Sequence, residues 1–373
     1  MTLKVEKVII HTVKLPLREP FKTALSLIEE RKLLILEVKF KSGVTGWGEC
    51  SAFETPWYTE ETTDSCYHAL LTYLLPALMD HNEVQHPDEA MKLFQPIRGH
   101  HMAKSSIETA LWDGYAKHLN QPLYHVLGGS KKSIEVGTAV GIQANQEKLI
   151  QKIDEAVQHG YKRIKLKVKP GHDIEPVRAV RRAFPDLPLM VDANSSYTLK
   201  DLDRLTELDH YNLLMIEQPL GHRDFVDHAT LQEKLTTPLC LDESITSFEA
   251  AKTAISMNSC RIIAIKHSRV GGLSEAIRIH DYCKDRNVDV WAGGMVESGI
   301  GKAHNIALAS FDRFVFPGDI TASSNFWYED LITPPIQIED GKVNISEKAG
   351  IGYEINRTVL EKYTINKHEV SQS

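Results

Sequence analysis

The chain has 373 residues, with 43 Lys and Arg against 50 Asp and Glu for a net charge of −7, and 42% of its residues are hydrophobic. That composition excludes a disordered or fibrous chain, and the length exceeds the roughly 250–300 residues of a single core, so two domains or one large barrel with additions are expected. The mixed charge offers no basic face to nucleic acid, and no stretch of about 18 apolar residues exists to span a membrane.

The opening Met1-Thr2-Leu3-Lys4-Val5-Glu6-Lys7 alternates charge with aliphatics and lacks the apolar centre of a signal peptide, which makes the cytoplasm the expected location. From residue 5 to about 50 the pattern is strand-like. Val8-Ile9-Ile10 and Leu33-Leu34-Ile35-Leu36-Glu37-Val38 are aliphatic runs, and Ser42-Gly43 supplies a turn, so a small antiparallel sheet is expected. Helical periodicity follows over 60–79, 87–94 and 103–119, with Asn120-Gln121-Pro122 as a stop. The first third therefore reads as α+β.

After Gly128-Gly129, short aliphatic runs at 165–168, 189–191, 213–216, 239–241 and 262–265 alternate with amphipathic helices. One such helix spans 198–209, with Leu199, Leu202, Leu205 and Leu208 as its apolar stripe. This alternation implies a parallel sheet, and its length without a G-x-G-x-x-G favours a closed (β/α) barrel over a doubly wound sheet. The rhythm ends after Asp319, and the tail is expected to return to the N-terminal part. The five cysteines (Cys50, Cys66, Cys240, Cys260, Cys283) contain no C-x-x-C and read as small buried hydrophobes.

Lys167, Asp192, Glu217, Asp242 and Lys266 each follow or end an aliphatic run, and they are 25, 25, 25 and 24 residues apart. One strand, one helix and two short loops fill such an interval, so all five share one height at the rim where barrel active sites are built. Any one acid could be a helix cap or a solvated loop residue. Three in the same register on consecutive strands would repel unless a cation lay between them. All-oxygen ligands suit Mg²⁺ first and Mn²⁺ second, and disfavour zinc.

The run Arg163-Ile164-Lys165-Leu166-Lys167-Val168-Lys169 alternates with period two. On a half-exposed strand it would be a solvated basic face. In a barrel the aliphatics face the helices, so Lys165 and Lys167 must point inward, which makes Lys167 a candidate general base. Lys266 arrives from across the barrel. Two lysines about a cation held by three carboxylates suit removal of the weakly acidic proton beside a carboxylate.

At these residues the chain resembles the muconate lactonizing enzyme subgroup of the enolase superfamily. The matching segments are Lys165-Leu166-Lys167, Val191-Asp192-Ala193-Asn194, Ile216-Glu217-Gln218-Pro219, Leu241-Asp242-Glu243-Ser244, Lys266 with Arg269-Val270-Gly271-Gly272, and Gly293-Gly294-Met295-Val296-Glu297-Ser298-Gly299. Pro20-Phe21-Lys22-Thr23, Gly46-Trp47-Gly48-Glu49, Trp57-Tyr58-Thr59-Glu60-Glu61-Thr62 and Pro317-Gly318-Asp319-Ile320 match as well.

The resemblance implies an α/β fold, a (β/α)7β modified TIM barrel over 129–319, capped by an α+β domain of 1–128 with the returning tail 320–373. Within the subgroup the likeness is to o-succinylbenzoate synthases related to N-acylamino acid racemases. It implies Lys167 as the base that later serves as acid, and Lys266 as stabiliser of the enediolate or actor on the other face. It further implies Asp192, Glu217 and Asp242 on Mg²⁺. Lys165, Asn194, Glu243, Arg269, Gly294, Met295, Glu297, Asp319, Phe21 and Thr23 become supporting or substrate-binding candidates. For the synthase, proton removal is followed by loss of a ring hydroxyl. The partner is a small carboxylate, with an assembly of identical chains by family habit. Loops near 21–26 and 53–58 would close over the substrate, although their aromatics serve equally as core packing.

Two positions depart from the family pattern. Ala264 stands where an Asn is usual, removing a polar contact, and His267 stands where Pro is common. A racemase using both lysines is the nearest alternative, and Arg269 in Lys-x-x-Arg keeps it open. A mandelate-racemase-type dehydratase would place an Asp where Lys266 stands. A non-catalytic binding protein on the same barrel would leave an inward lysine pair with no task. His100-His101 and His304 read as structural, and Gly293-Gly294 as a loop facing a phosphate or the substrate's distal carboxylate.

Overall fold

The computed structural model describes residues 3–81 and 83–371, so Met1 and Thr2 of the opening run lie outside the described residues. Strands β1 (Leu3–Lys22), β2 (Leu27–Phe40) and β3 (Thr45–Cys50) form the expected antiparallel sheet. The Ser42-Gly43 turn joins the last two, with Gly43 at a φ of 84°. Leu33 to Leu36 are buried on both faces of the sheet, and the long helix α1 (His101–His118) lies against it. Gly46 and Gly48 permit that approach: a Cβ on either would stand 2.0 Å from the carbonyl oxygen of Ala110 or Ser106.

The periodicity over 60–79 becomes a helix opened by a Thr62/Ser65 capping box, carried through a π turn at Leu70–Leu74 and ending at His81. The one over 87–94 becomes Asp88–Leu93.

Seven parallel strands follow in sequence order: β4 (Thr138–Val140), β5 (Ile164–Lys167), β6 (Leu189–Asp192), β7 (Ile216–Glu217), β8 (Leu239–Leu241), β9 (Ile262–Ile265) and β10 (Asp289–Ala292). Residues 314–318 bridge both outer strands in parallel, Phe314 to Val290 and Gly318 to Val136, which completes the (β/α)7β arrangement.

Two local expectations shift. The run 213–216 is a strand only at Ile216–Glu217, although Leu214 N still donates to the Leu189 carbonyl at 2.8 Å, and Asn212 turns the chain with a φ of 48° just before the run. The helix over 198–209 starts as one 3-10 turn at Leu199–Asp201 and is α-helical over Leu202–Leu208. Strands β4 and β10 carry no aliphatic run and were not anticipated. The tail returns as expected, its last strand β11 (Thr364–Ser371) pairing antiparallel with β1.

Along each barrel strand alternate residues divide between two cores. Leu189, Val191, Leu239, Leu241, Ile263 and Ile265 join the large core under the helices. Met190, Met215, Cys240, Ile262, Ala264 and Trp291 form a separate inner plug below the rim. All five cysteines are buried and free.

The cap and barrel are joined through buried carboxylates at helix starts. Glu49 accepts from Ser298 N at 3.2 Å and Gly301 N at 3.1 Å, and Glu108 accepts from Leu273 N and Ser274 N, both at 2.8 Å. Burial pushes Glu49 up to about 8 and Glu108 up to about 7, against those hydrogen bonds. A carboxyl whose folded pKa lies above its ordinary 4.5 binds more protons folded than unfolded between the two values, so stability falls as pH rises from 4.5 to about 8. Replacing Glu108 with Gln is expected to flatten this decline between about pH 5 and 7. The urea midpoint followed against pH measures it, and an unchanged slope would assign the decline elsewhere.

Candidate active site

The register sets the site. Lys167 pairs with Asp192 and Asp192 with Glu217 across β5, β6 and β7, while Asp242 and Lys266 each stand one residue beyond β8 and β9. Lys165 and Lys167, two apart on β5, both project inward and are buried. Lys165 Nζ lies 2.5 Å from Asp319, 3.1 Å from Glu217 Oε2 and 3.3 Å from Asp192, and 4.9 Å from the Trp291 ring centre. It thus floors the site on the inner plug. Lys167 Nζ donates to Asp192 at 2.5 Å and to Asn194 Oδ1 at 2.9 Å, and Asn194 Nδ2 donates to Glu243 at 2.9 Å. On the far side, Lys266 Nζ donates to Asp242 Oδ2 at 2.8 Å and Arg269 donates to Asp242 Oδ1.

Tight turns aim these groups. Asn194, Ser195 and Gln218 hold φ values of 44°, 63° and 38° in the left-handed region, within three residues after Asp192 or Glu217. Gln218 Oε1 accepts from Asp242 N at 2.9 Å and so locks one turn to the next strand's end.

The electrostatics follow from burial working against neighbouring charge. Burial alone would raise Asp192, yet Lys167 and Lys165 hold it below its usual range. Asp242 is likewise held well below by Arg269 and Lys266 despite its burial. Glu217 goes the other way: burial, together with Asp192, pushes it well above the carboxylate range, with Lys165 resisting. Burial and the charge of Asp242 push Glu243 up to about 7. Lys165 is raised well above the usual lysine value, Asp319, Glu217 and Asp192 together overcoming its burial.

Above these charges lies a pocket lined by Phe21, Thr23 and Ile28 of the cap, Phe53, Trp57 and Tyr58 of the loop after β3, Met295, Val296 and Glu297 after β10, and Thr321 and Phe326 of the tail. Its floor includes Lys165, Lys167, Asn194, Lys266, Gly294 and Asp319. The walls are mostly apolar and aromatic and the floor is ionic, the character of a small-molecule pocket with a few convergent polar groups.

The donor chemistry of Asp192, Glu217 and Asp242 fits a hard divalent cation. The three are buried and repel one another, and Glu217 Oε2 makes no hydrogen bond, only the ion pair to Lys165 at 3.1 Å. In this arrangement lysine and arginine groups lie against their oxygens, and among the described residues no three acidic, His or Cys side chains gather closely enough to hold an ion.

Residues 5–128 match the mandelate racemase/muconate lactonizing enzyme N-terminal domain, and residues 148–359 match the enolase C-terminal domain-like family. The chain belongs to the enolase superfamily. A relative in Geobacillus stearothermophilus named o-succinylbenzoate synthase is 49% identical over 364 residues, 98% of this chain and 97% of that one. An N-succinylamino acid racemase of Thermus thermophilus is 38% identical over 371 residues and covers 100% of both chains. A solved structure of an enolase superfamily member from Listeria innocua aligns with a TM-score of 0.96 at 44% identity over 100% of both chains.

Of the residues singled out from the superfamily resemblance, the pocket gathers Phe21, Thr23, Lys165, Lys167, Asn194, Lys266, Gly294, Met295, Glu297 and Asp319. Glu243 and Arg269 sit behind it, touching its lining residues Asn194 and Tyr58. Ala264 joins the inner plug, and its carbonyl accepts from Arg269 Nη2 at 2.8 Å. His267 is buried and pushed down to about 3 by that burial and by His304, with Nδ1 3.3 Å from Ser105 Oγ. The ring nitrogens of His304 lie 2.9 Å from the Ile300 carbonyl and 3.2 Å from that of Thr109, one of which accepts its single N–H, as around a structural histidine. Thr321 and Phe326 escaped sequence reading because no periodicity marks an isolated pocket residue in an irregular tail. Tyr58 was visible within Trp57-Tyr58, but nothing local distinguishes a wall aromatic from one whose hydroxyl meets a lysine. Among the described residues no helix is long and apolar enough to cross a membrane.

Proposed function

We propose that this chain is an o-succinylbenzoate synthase, a lyase that dehydrates 2-succinyl-6-hydroxy-2,4-cyclohexadiene-1-carboxylate to 2-succinylbenzoate for menaquinone synthesis. The observation that carries the reading is that Lys167 and Lys266 enter one pocket from strands four apart in the sheet, each ion-paired to one of the three buried acids. The names of full-length relatives at 49% identity support it.

Asp192, Glu217 and Asp242 would hold Mg²⁺, with Mn²⁺ as a substitute, and the ion when bound supplies positive charge that offsets the negative charge gathering on the substrate carboxylate. Lys167 takes the proton α to that carboxylate, and the C–H electron pair moves into the carboxyl group to give an enediolate. Lys266, across the pocket, balances the new charge with its ammonium. The enediolate then collapses, the ring C–O bond breaks, and Lys167 returns its proton to the departing hydroxyl, which leaves as water from an aromatic product. Asn194 orients Lys167, and Phe21, Phe53, Trp57 and Phe326 exclude bulk water.

A second reading has its own support: lysines facing the pocket from both sides are what racemisation of an N-succinylamino acid needs, and a 38% identical relative carries that name. It is proposed as a side activity. In the same reading the cap comprises 1–128 with 320–373, the barrel 129–319, and the enzyme is a cytoplasmic assembly of identical chains.

The test is the ultraviolet absorbance change on adding the cyclohexadiene substrate with and without Mg²⁺. Turnover lost on chelation and restored by Mg²⁺ is expected. A folded, metal-binding protein without turnover moves the assignment to racemisation and implicates Ala264 and His267.

A further inference from the structure

The loop 51–62 runs from β3 to the helix that starts at Thr63, and between residues 54 and 60 Tyr58 alone is buried. Its hydroxyl lies 2.8 Å from Lys266 Nζ, 2.7 Å from Arg269 Nη1 and 3.1 Å from Asp242 Oδ2. The two cations donate to the oxygen and the hydroxyl donates to the carboxylate, which fills its capacity of one donor and two acceptors. The ring also takes the Lys266 ammonium against its face, 4.6 Å from the centre.

The root of the loop is anchored independently. Arg31, buried in β2, donates to the carbonyls of Ser51 at 2.5 Å and Ala52 at 3.2 Å, and reaches the barrel carbonyls of Met295 and Val296, both at 3.4 Å. Beyond that root the tip meets the barrel through Tyr58 and through an exposed Glu60–Arg223 pair, which contributes little.

Lys266 is confined at its stem and bonded at its end. A Cβ on Gly293 would stand 2.6 Å from Lys266 Cε, so the stem lies flat on that glycine. Of the ammonium's three protons, one goes to Asp242 and one to Tyr58. With both partners in place the third faces the pocket that Lys266 lines.

We propose that Tyr58 is a positioning residue whose hydroxyl aims the Lys266 ammonium into the pocket and makes that aim depend on closure of the loop 51–62. The proposal rests on the reading of Lys266 as a catalytic lysine. Because coupling is reciprocal, Lys266 in turn holds the loop closed.

The test uses the Mg²⁺-loaded full chain and Tyr58→Phe, which keeps the ring and its packing on Phe53 and Trp57 and deletes the oxygen. Amide hydrogen exchange of residues 53–60 is compared in Tyr58→Phe, Lys266→Met and the double variant. Lys266→Met, which removes one of the hydroxyl's three hydrogen bonds, is expected to speed exchange about 10-fold, Tyr58→Phe, which removes all three, by at least as much, and the double variant no further than Tyr58→Phe alone. Turnover by Tyr58→Phe is expected to fall about 10-fold or more in kcat with KM changed less than about 3-fold. Exchange unaffected by Lys266→Met, or effects that multiply in the double variant, would overturn the proposal, as would an unchanged kcat. If the wild type fails to dehydrate the cyclohexadiene substrate, the proposed function fails, while the exchange cycle still decides the role of Tyr58.

Discussion

Lys167→Ala is expected to lower kcat for dehydration by about 10³-fold or more, in the range a positioned general base supplies. Lys167 is the residue asked to move protons twice, once from carbon and once to the departing hydroxyl, so its loss removes both transfers. The fold should survive, because Asp192 keeps Lys165 at 3.3 Å and is not left as an unpaired buried charge. Circular dichroism and the thermal midpoint check that expectation, and rapid turnover by the folded variant would show that the base lies elsewhere.

The second large effect concerns Glu217. Its carboxyl is fully buried and raised well above its usual range by burial and by Asp192, so Glu217→Gln exchanges it for a group of the same shape at little cost to folding. Lys165 retains Asp319 at 2.5 Å and Asp192. What the variant should lose is the response to metal. With Mg²⁺ at about 100 times its dissociation constant, wild-type stability should rise by about 2.7 kcal/mol and the thermal midpoint by about 3 °C. Glu217→Gln should show a flat midpoint over the same titration and a fall in kcat/KM of about 100-fold or more. Equal midpoint shifts in the two proteins would remove Glu217 from the ligand set.

Much of this architecture is local in origin and was therefore legible. The interval between Lys167, Asp192, Glu217 and Asp242 is the length of one strand, one helix and two loops, and a repeating unit places its end residues at one height whatever else the chain does. Alternation in the run from Arg163 to Lys169 assigned Ile164 and Leu166 to the helix-facing core and Lys165 and Lys167 to the interior, because strand side chains have a period of two. Strands β4 and β10 were missed for the same physical cause seen in reverse. Thr138-Ala139-Val140 and Asp289-Val290-Trp291-Ala292 interrupt their aliphatics with Thr, Asp and Trp and so show no aliphatic run.

The amino-acid sequence by itself determined the parallel barrel and the shared height of the two lysines and three acids, since both follow from periodicity and spacing along the chain. The tertiary structure alone decided what meets across that rim: Tyr58 on Lys266 over 208 residues, Arg31 on Val296 over 265, and the insertion of residues 314–318 between the outer strands. Such contacts depend on how separate elements are packed, and a side chain bears no local mark of a partner hundreds of residues away.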